Sequence, residues 1–192
     1  MNHYSSLAAR IALVLCLLLS GLCVASRAAD PCDLSVLPQE LRTKLTKEYP
    51  DWQPERLENL DEEDRGLWIK AHPTDCPGIA VGHFESKAEL SYALLLVSKP
   101  DRKLPGLRIV VFSRTGTSAP FVSRLISKYD TGTFYEGSAQ VITTAPAGRY
   151  EQIDSSRKVR IGLEGIQYEV MEKGSILYYW RNGRYQQLTT SD

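Results

Sequence analysis

From Gly78 to the C-terminus the chain is written in short apolar runs, each the length of a strand and each broken by Gly, Pro, Asn or Asp. An apolar pattern with a period of two is buried only on a sheet face, so most of the chain is expected to be sheet. Runs at residues 79–84, 90–98 and 107–113 read as the first strands. Within 90–98, Tyr92, Leu94 and Leu96 fall on one side and Ala93, Leu95 and Val97 on the other, which predicts a strand buried on both faces. Pro105-Gly106 predicts a hairpin to the next run. Residues 121–129 read differently, because Phe121, Leu125 and Tyr129 recur four apart with Val122 and Ile126 alongside. That spacing predicts an amphipathic helix packed across the sheet. Further runs at 139–144, 149–153, 159–163, 165–171, 175–181 and 184–188 read as a meander. Asn182-Gly183 suits a two-residue type I′ turn, and Glu172-Lys173-Gly174 a looser one.

Ahead of the strands, residues 35–49 read as a helix, with Leu34, Leu37, Leu41 and Leu45 at helical spacing and charged residues between them. Pro38 falls in its first turn and Pro50 stops it. The acidic run Asp61, Glu62, Glu63, Asp64 reads as a solvated turn or a short helix start. A calcium site is the sharper alternative, but the run lacks the alternating oxygen ligands and central Gly of a calcium loop. There is no internal repeat. The fold class is therefore α+β: an N-terminal helix plus a mostly antiparallel sheet of about seven to nine strands, with one further helix packed on it.

The first 28 residues read as an export signal: a short start ending in Arg10, an apolar stretch from Ile11 to Ala25, then Ser26, Arg27 and Ala28. Cleavage is expected between Ala28 and Ala29, with a cut after Ala25 as the competitor. About 15 apolar residues fall short of the roughly 20 that span a bilayer, so no membrane span is expected after cleavage. A bacterial lipobox has a small residue before its Cys, whereas Leu15 precedes Cys16 and Leu22 precedes Cys23. Residues 29–192 then form one exported domain, in the periplasm or outside the cell. The signal removes Arg10 and Arg27 from 23 basic residues and nothing from 23 acidic ones, leaving 21 against 23. Charges of both signs are interspersed, which excludes the basic surface of a nucleic-acid binder. Cys32 and Cys76 remain, and an oxidising compartment favours joining them over free thiols or intermolecular pairing. Closing a loop of about 45 residues is worth roughly 4 kcal/mol in the chain-entropy model.

The densest reactive cluster is His72, Asp75, Cys76 and His83. A Cys committed to a disulfide neither ligates zinc nor attacks a substrate, so no metal, cofactor or thiol catalysis is expected there. Serine chemistry has no Gly-x-Ser-x-Gly elbow, and Ser118 before Pro120 is explained as a turn or cap. Glu164 with Glu169, and Glu85 with Glu89, read as surface pairs. Single glycines mark turns rather than a phosphate loop. The aromatics Tyr168, Tyr178, Tyr179, Trp180 and Tyr185 are more suggestive, since alternation places Tyr178 and Trp180 on one face and Tyr179 on the other. One such face is either an exposed binding surface or cross-strand packing. Tyr178, Trp180 and Tyr185, with Phe134 and Tyr135 in the 132–137 loop, are the candidate partner-binding residues.

Residues 76–96 carry a pattern of their own: Cys76-Pro77-Gly78-Ile79-Ala80-Val81-Gly82-His83-Phe84, then Glu85 to Glu89, then Leu90-Ser91-Tyr92-Ala93-Leu94-Leu95-Leu96. The segment resembles one unit of the FG-GAP (VCBS-like) repeats of exported bacterial proteins, in which a small-Phe strand leads through an acidic, Gly-rich calcium loop to an aliphatic strand. Ser86, Lys87 and Ala88 stand where that family has Gly, Asp and Gly, and Ser91 replaces the closing Asp, so the calcium site does not carry over. The functional expectation is an exported, non-enzymatic binding module for an envelope protein or glycan. The alternatives are a small exported hydrolase, and an inhibitor or immunity protein acting on an envelope hydrolase.

Overall fold

The computed structural model describes residues 30–100, 105–130, 138–153, 155 and 157–191. The segment read as an export signal, with both expected cleavage positions, and Phe134 and Tyr135 of the 132–137 loop lie outside the described residues. What is described is an α+β fold dominated by antiparallel strands.

A 3-10 turn at Leu34–Val36 leads into α1, Gln39–Glu48, with Pro38 at the N-cap and Tyr49 at the C-cap ahead of Pro50. Strand β1 (Trp52–Pro54) and a second 3-10 turn (Leu57–Asn59) precede α2, Glu62–Ala71. The acidic run thus opens a full helix: Asp61 caps it by accepting from the Asp64 amide at 2.9 Å, and Glu62, Glu63 and Asp64 fill the first turn, where the helix dipole favours negative charge.

The first sheet contains β1, β2 (Ile79–Gly82), β3 (Ser91–Ser98), β4 (Gly106–Ser113) and β5 (Val122–Asp130). β3 is central, pairing with β1 and β2 along one side and β4 along the other. Its two faces are both buried: Leu94 and Leu96 join Val110 and Phe112 under Leu37, Leu41 and Leu45, while Ala93 and Leu95 face the second sheet. That second sheet runs β11 (Arg184–Ser191), β10 (Gly174–Arg181), β9 (Gly165–Val170), β6 (Gln140–Ala145). It supplies Ile142, Ile166, Tyr168, Val170 and Tyr178 to the core between the sheets. The hairpin β7 (Gly148–Glu151) and β8 (Lys158–Ile161) folds over the outer face, where Val159 and Ile161 cover Leu177, Tyr179 and Leu188. The layers are therefore helix, sheet, sheet and hairpin, with eleven strands in three sheets among the described residues rather than one sheet of seven to nine. Nor are the C-terminal strands a plain meander, since β6 passes over β7 and β8 to pair with β9.

The expected helix over 121–129 is a strand. β5 pairs antiparallel with β4 along its whole length, with an irregularity in register opposite Ile109 and Val110 that leaves Ile126 unpaired. A spacing of four satisfies a strand face as well as a helix face, because four is a multiple of two. Phe121 is buried on the α1 side and Leu125 lies opposite Val110 on that side, yet Tyr129 packs into the core between the sheets and stacks on Tyr168 at 6.1 Å. The bulge at Ile126 turns the strand over between them. The second helix of the fold is α2, whose Trp68 is buried with Leu60 and Val141.

Close approach and turn geometry anchor two places. A side chain at Gly78 would run into the backbone of Glu55, so β2 and the segment after β1 pack backbone to backbone. Asn182 and Gly183 have φ of 53° and 75°, the left-handed pair that a type I′ turn requires, and Arg181 pairs with Arg184 across it. Cys32 and Cys76 are joined, with Cα atoms 4.9 Å apart, and are 1% and 3% exposed.

Candidate functional site

The β10–β11 turn brings its aromatic residues to one end of the sandwich, where the 83–90 loop, the end of β4 and the start of β5 also meet. Tyr178 does not reach the surface: it is 2% exposed in the core between the sheets. Tyr179 points to the other face and is 3% exposed beneath the β7–β8 hairpin. Both faces of β10 are covered at Tyr178 and Tyr179, whereas residues 181–184 at the tip are exposed. There Trp180 and Tyr185 are a cross-strand pair, their rings edge to face with centroids 5.1 Å apart, and both are half-buried.

Arg124 of β5 lies over this pair, its guanidinium carbon 5.4 Å from the centre of the Trp180 ring. Its Nε is 3.2 Å from Glu85 Oε1, an ion pair whose geometry is not that of a hydrogen bond. Glu85 Oε2 accepts a hydrogen bond from the Ser113 hydroxyl at 2.8 Å. The carboxylate is thus drawn inward, with its side chain 10% exposed, while Arg124 stays 39% exposed. Burial pushes the Tyr185 phenol well above its ordinary titration, and the charge of Glu85 adds to it, so the ring remains neutral. Three sealed polar atoms here, Glu85 Oε1, Arg124 Nε and Tyr185 OH, lack a hydrogen-bond partner. Beside them the start of β5 leaves Val122 47% exposed.

The cluster of His72, Asp75, Cys76 and His83 is dispersed. His72 stacks on Trp68, with centroids 4.4 Å apart, and faces Asp75 Oδ2 at 3.5 Å. Cys76 is in the disulfide. His83 stands 3.3 Å from Glu164 Oε2, the same oxygen that accepts from its backbone N–H at 2.6 Å. Among the described residues no serine, threonine or cysteine hydrogen bonds to either imidazole, and no group of three or more His, Cys, Asp and Glu is placed to hold a metal ion. The carboxylates taken as pairs find other partners: Glu85 meets Arg124, Glu89 meets Arg114 at 3.8 Å, and Glu164 meets His83.

Comparison of the chain with family models, curated proteins and solved structures finds no match. The site therefore rests on its own geometry. Arg124 is the residue that the sequence did not single out, because a helical 121–129 carries it away from the β10–β11 turn. Alternation in β5 is the signal that locates it: Val122 and Arg124 share the face opposite Ser123 and Leu125.

Proposed function

We propose that the protein is a non-enzymatic binding module acting in the cell envelope or outside the cell, and that it takes its partner through Trp180. The observation that carries this is the bracing of a partly exposed indole between Tyr185 and Arg124 next to the exposed tip of the β10–β11 hairpin. Trp, Tyr and Arg are the side chains that dominate binding energy at interfaces, and a ring held on two sides loses little freedom when a partner seats on it. The partner is an envelope protein or a glycan, either of which presents a face that an indole can stack on. The buried Cys32–Cys76 bond supports an oxidising compartment. No helix among the described residues is long and apolar enough to cross a membrane. The FG-GAP likeness of residues 76–96 points to the same exported setting.

The test is capture from envelope extract and from purified cell-wall glycan, with the wild-type chain and Trp180→Ala side by side. Trp180→Ala is expected to lose capture by roughly tenfold or more while still unfolding cooperatively. A variant that simply melts, or one that captures the same partner equally well, sinks the proposal.

A further inference from the structure

The opposite end of the sandwich holds a second feature, formed where β3 ends, β4 begins and β6 begins. A pocket of about 240 Å³ opens there, lined by Glu55, Asn59 and Asp61 on one side and Ser138 and Gln140 on the other, with Leu107 among its apolar walls. Glu55 is only 8% exposed. Its Oε1 takes both of its hydrogen bonds, from the Arg56 amide at 3.0 Å and from Asn59 Nδ2 at 2.7 Å. Oε2 has no partner among the described residues and is not one of the sealed polar atoms, so it meets solvent through the pocket. Among the described residues no Lys, Arg or His lines the pocket.

A buried carboxylate is normally paired with a cation, because leaving its charge uncompensated in a region of low dielectric is costly. Here the described residues that line the pocket supply acceptors and no cation. Asn59 is turned so that its amide donates to Glu55, which leaves its carbonyl oxygen as a further acceptor, and Asp61 adds a second carboxylate. Gln140 Oε1 is occupied by the Tyr168 hydroxyl at 2.6 Å. A metal ion is a poor complement, since no set of three or more His, Cys, Asp and Glu converges among the described residues. The apolar walls accept a short aliphatic chain, and the carboxylates accept the N–H donors at its end.

We propose that this pocket binds a primary alkylammonium group, with Glu55 Oε2 as its counter-charge. The ammonium comes either from a free amine or from the end of a lysine side chain on a partner. Shape and charge agree: three N–H donors match Glu55, Asp61 and the Asn59 carbonyl, and the methylenes lie against Leu107 and its apolar neighbours. Burial raises the Glu55 titration, with Glu58 the charged neighbour that adds to it; Asp61 and Asp64 stand at the start of α2, Arg65 of the same helix donates to the Leu57 and Leu60 carbonyls, and among the described residues the strands lining the pocket bring no charge into it. The ammonium needs the ionised carboxylate, so its affinity rises with pH through the Glu55 titration. None of this depends on Trp180, which lies at the other end of the molecule.

The experiment is a titration of the mature chain, followed by amide NMR shifts, with 1,4-diaminobutane, with Nα-acetyl-lysine methylamide, and with 1-butanol as the neutral probe. Saturable shifts confined to residues 55–61 and 138–140 are expected with one or both amines, the stronger of them naming the source. Glu55→Gln keeps both hydrogen bonds to Oε1 and is expected to weaken binding by roughly tenfold or more. Asp61→Asn keeps the helix cap and is expected to weaken it less. Affinity is expected to increase between about pH 5 and about pH 8. Butanol binding as well as the amines, Glu55→Gln binding unchanged, or no saturable shift at millimolar amine each overturns the proposal.

Discussion

Glu55 shows how a single residue can carry a cost that the rest of the fold tolerates. Its carboxyl is raised above the ordinary range first by burial and then by Glu58, while its hydrogen bonds to Arg56 and Asn59 pull the other way and do not compensate. A carboxyl whose folded titration lies above its unfolded one binds its proton more tightly in the folded state. Its contribution to stability is then present at low pH and lost as pH rises through the folded value. Glu55→Gln is accordingly expected to melt higher than wild type at pH 7, with the difference disappearing near pH 4, as read by thermal denaturation across pH. A difference independent of pH would mean that the charge is not the source. Gly78 is the complementary case, a residue required for what it lacks, since a Cβ there would occupy the backbone of Glu55.

Among the elements, β5 is the informative one. A helix over 121–129 would bury Leu125 together with Phe121 and Tyr129 on one stripe, whereas the bulged strand leaves Leu125 48% exposed and packs Ile126 against the core between the sheets. Leu125→Ala is therefore expected to change stability by less than about 0.5 kcal/mol, and Ile126→Ala to cost about 1–3 kcal/mol, both measured by denaturant unfolding. The reverse order would restore the helix. Elements whose character is set locally were readable: the Leu37, Leu41 and Leu45 stripe of α1, the doubly apolar β3, and the Asn182-Gly183 turn all follow from their own residues. β5 was not, because its apolar spacing is even and its bulge is dictated by β4. The same limit applied to the hairpin aromatics. Alternation separates Tyr178 from Tyr179, but whether either face is open depends on a second sheet and a distant hairpin.

At the scale of the molecule, the Cys32–Cys76 bond ties the segment ahead of α1 to the start of β2, and so clamps the helical layer to the sheet it covers. Both sulfurs are buried, so reduction is expected to require opening of the fold. Thiol labelling in dithiothreitol alone should be slow and should accelerate sharply with denaturant. The reduced chain should be less stable by roughly 2–5 kcal/mol; rapid labelling under native conditions would place the bond outside the core. The covalent pairing was legible in the sequence, because Cys32 and Cys76 are the two cysteines that lie outside the apolar stretch from Ile11 to Ala25. So were α1, the antiparallel character of most strands and the type I′ turn, each set by residues close in the chain. Only the tertiary structure decided that 121–129 is an edge strand, that Tyr178 is core while Trp180 is partly exposed, and that Glu55 lines a pocket to which no described Lys, Arg or His belongs. Exposure, register and charge compensation are properties of residues brought together from far apart, and they exist only once the sheets have packed.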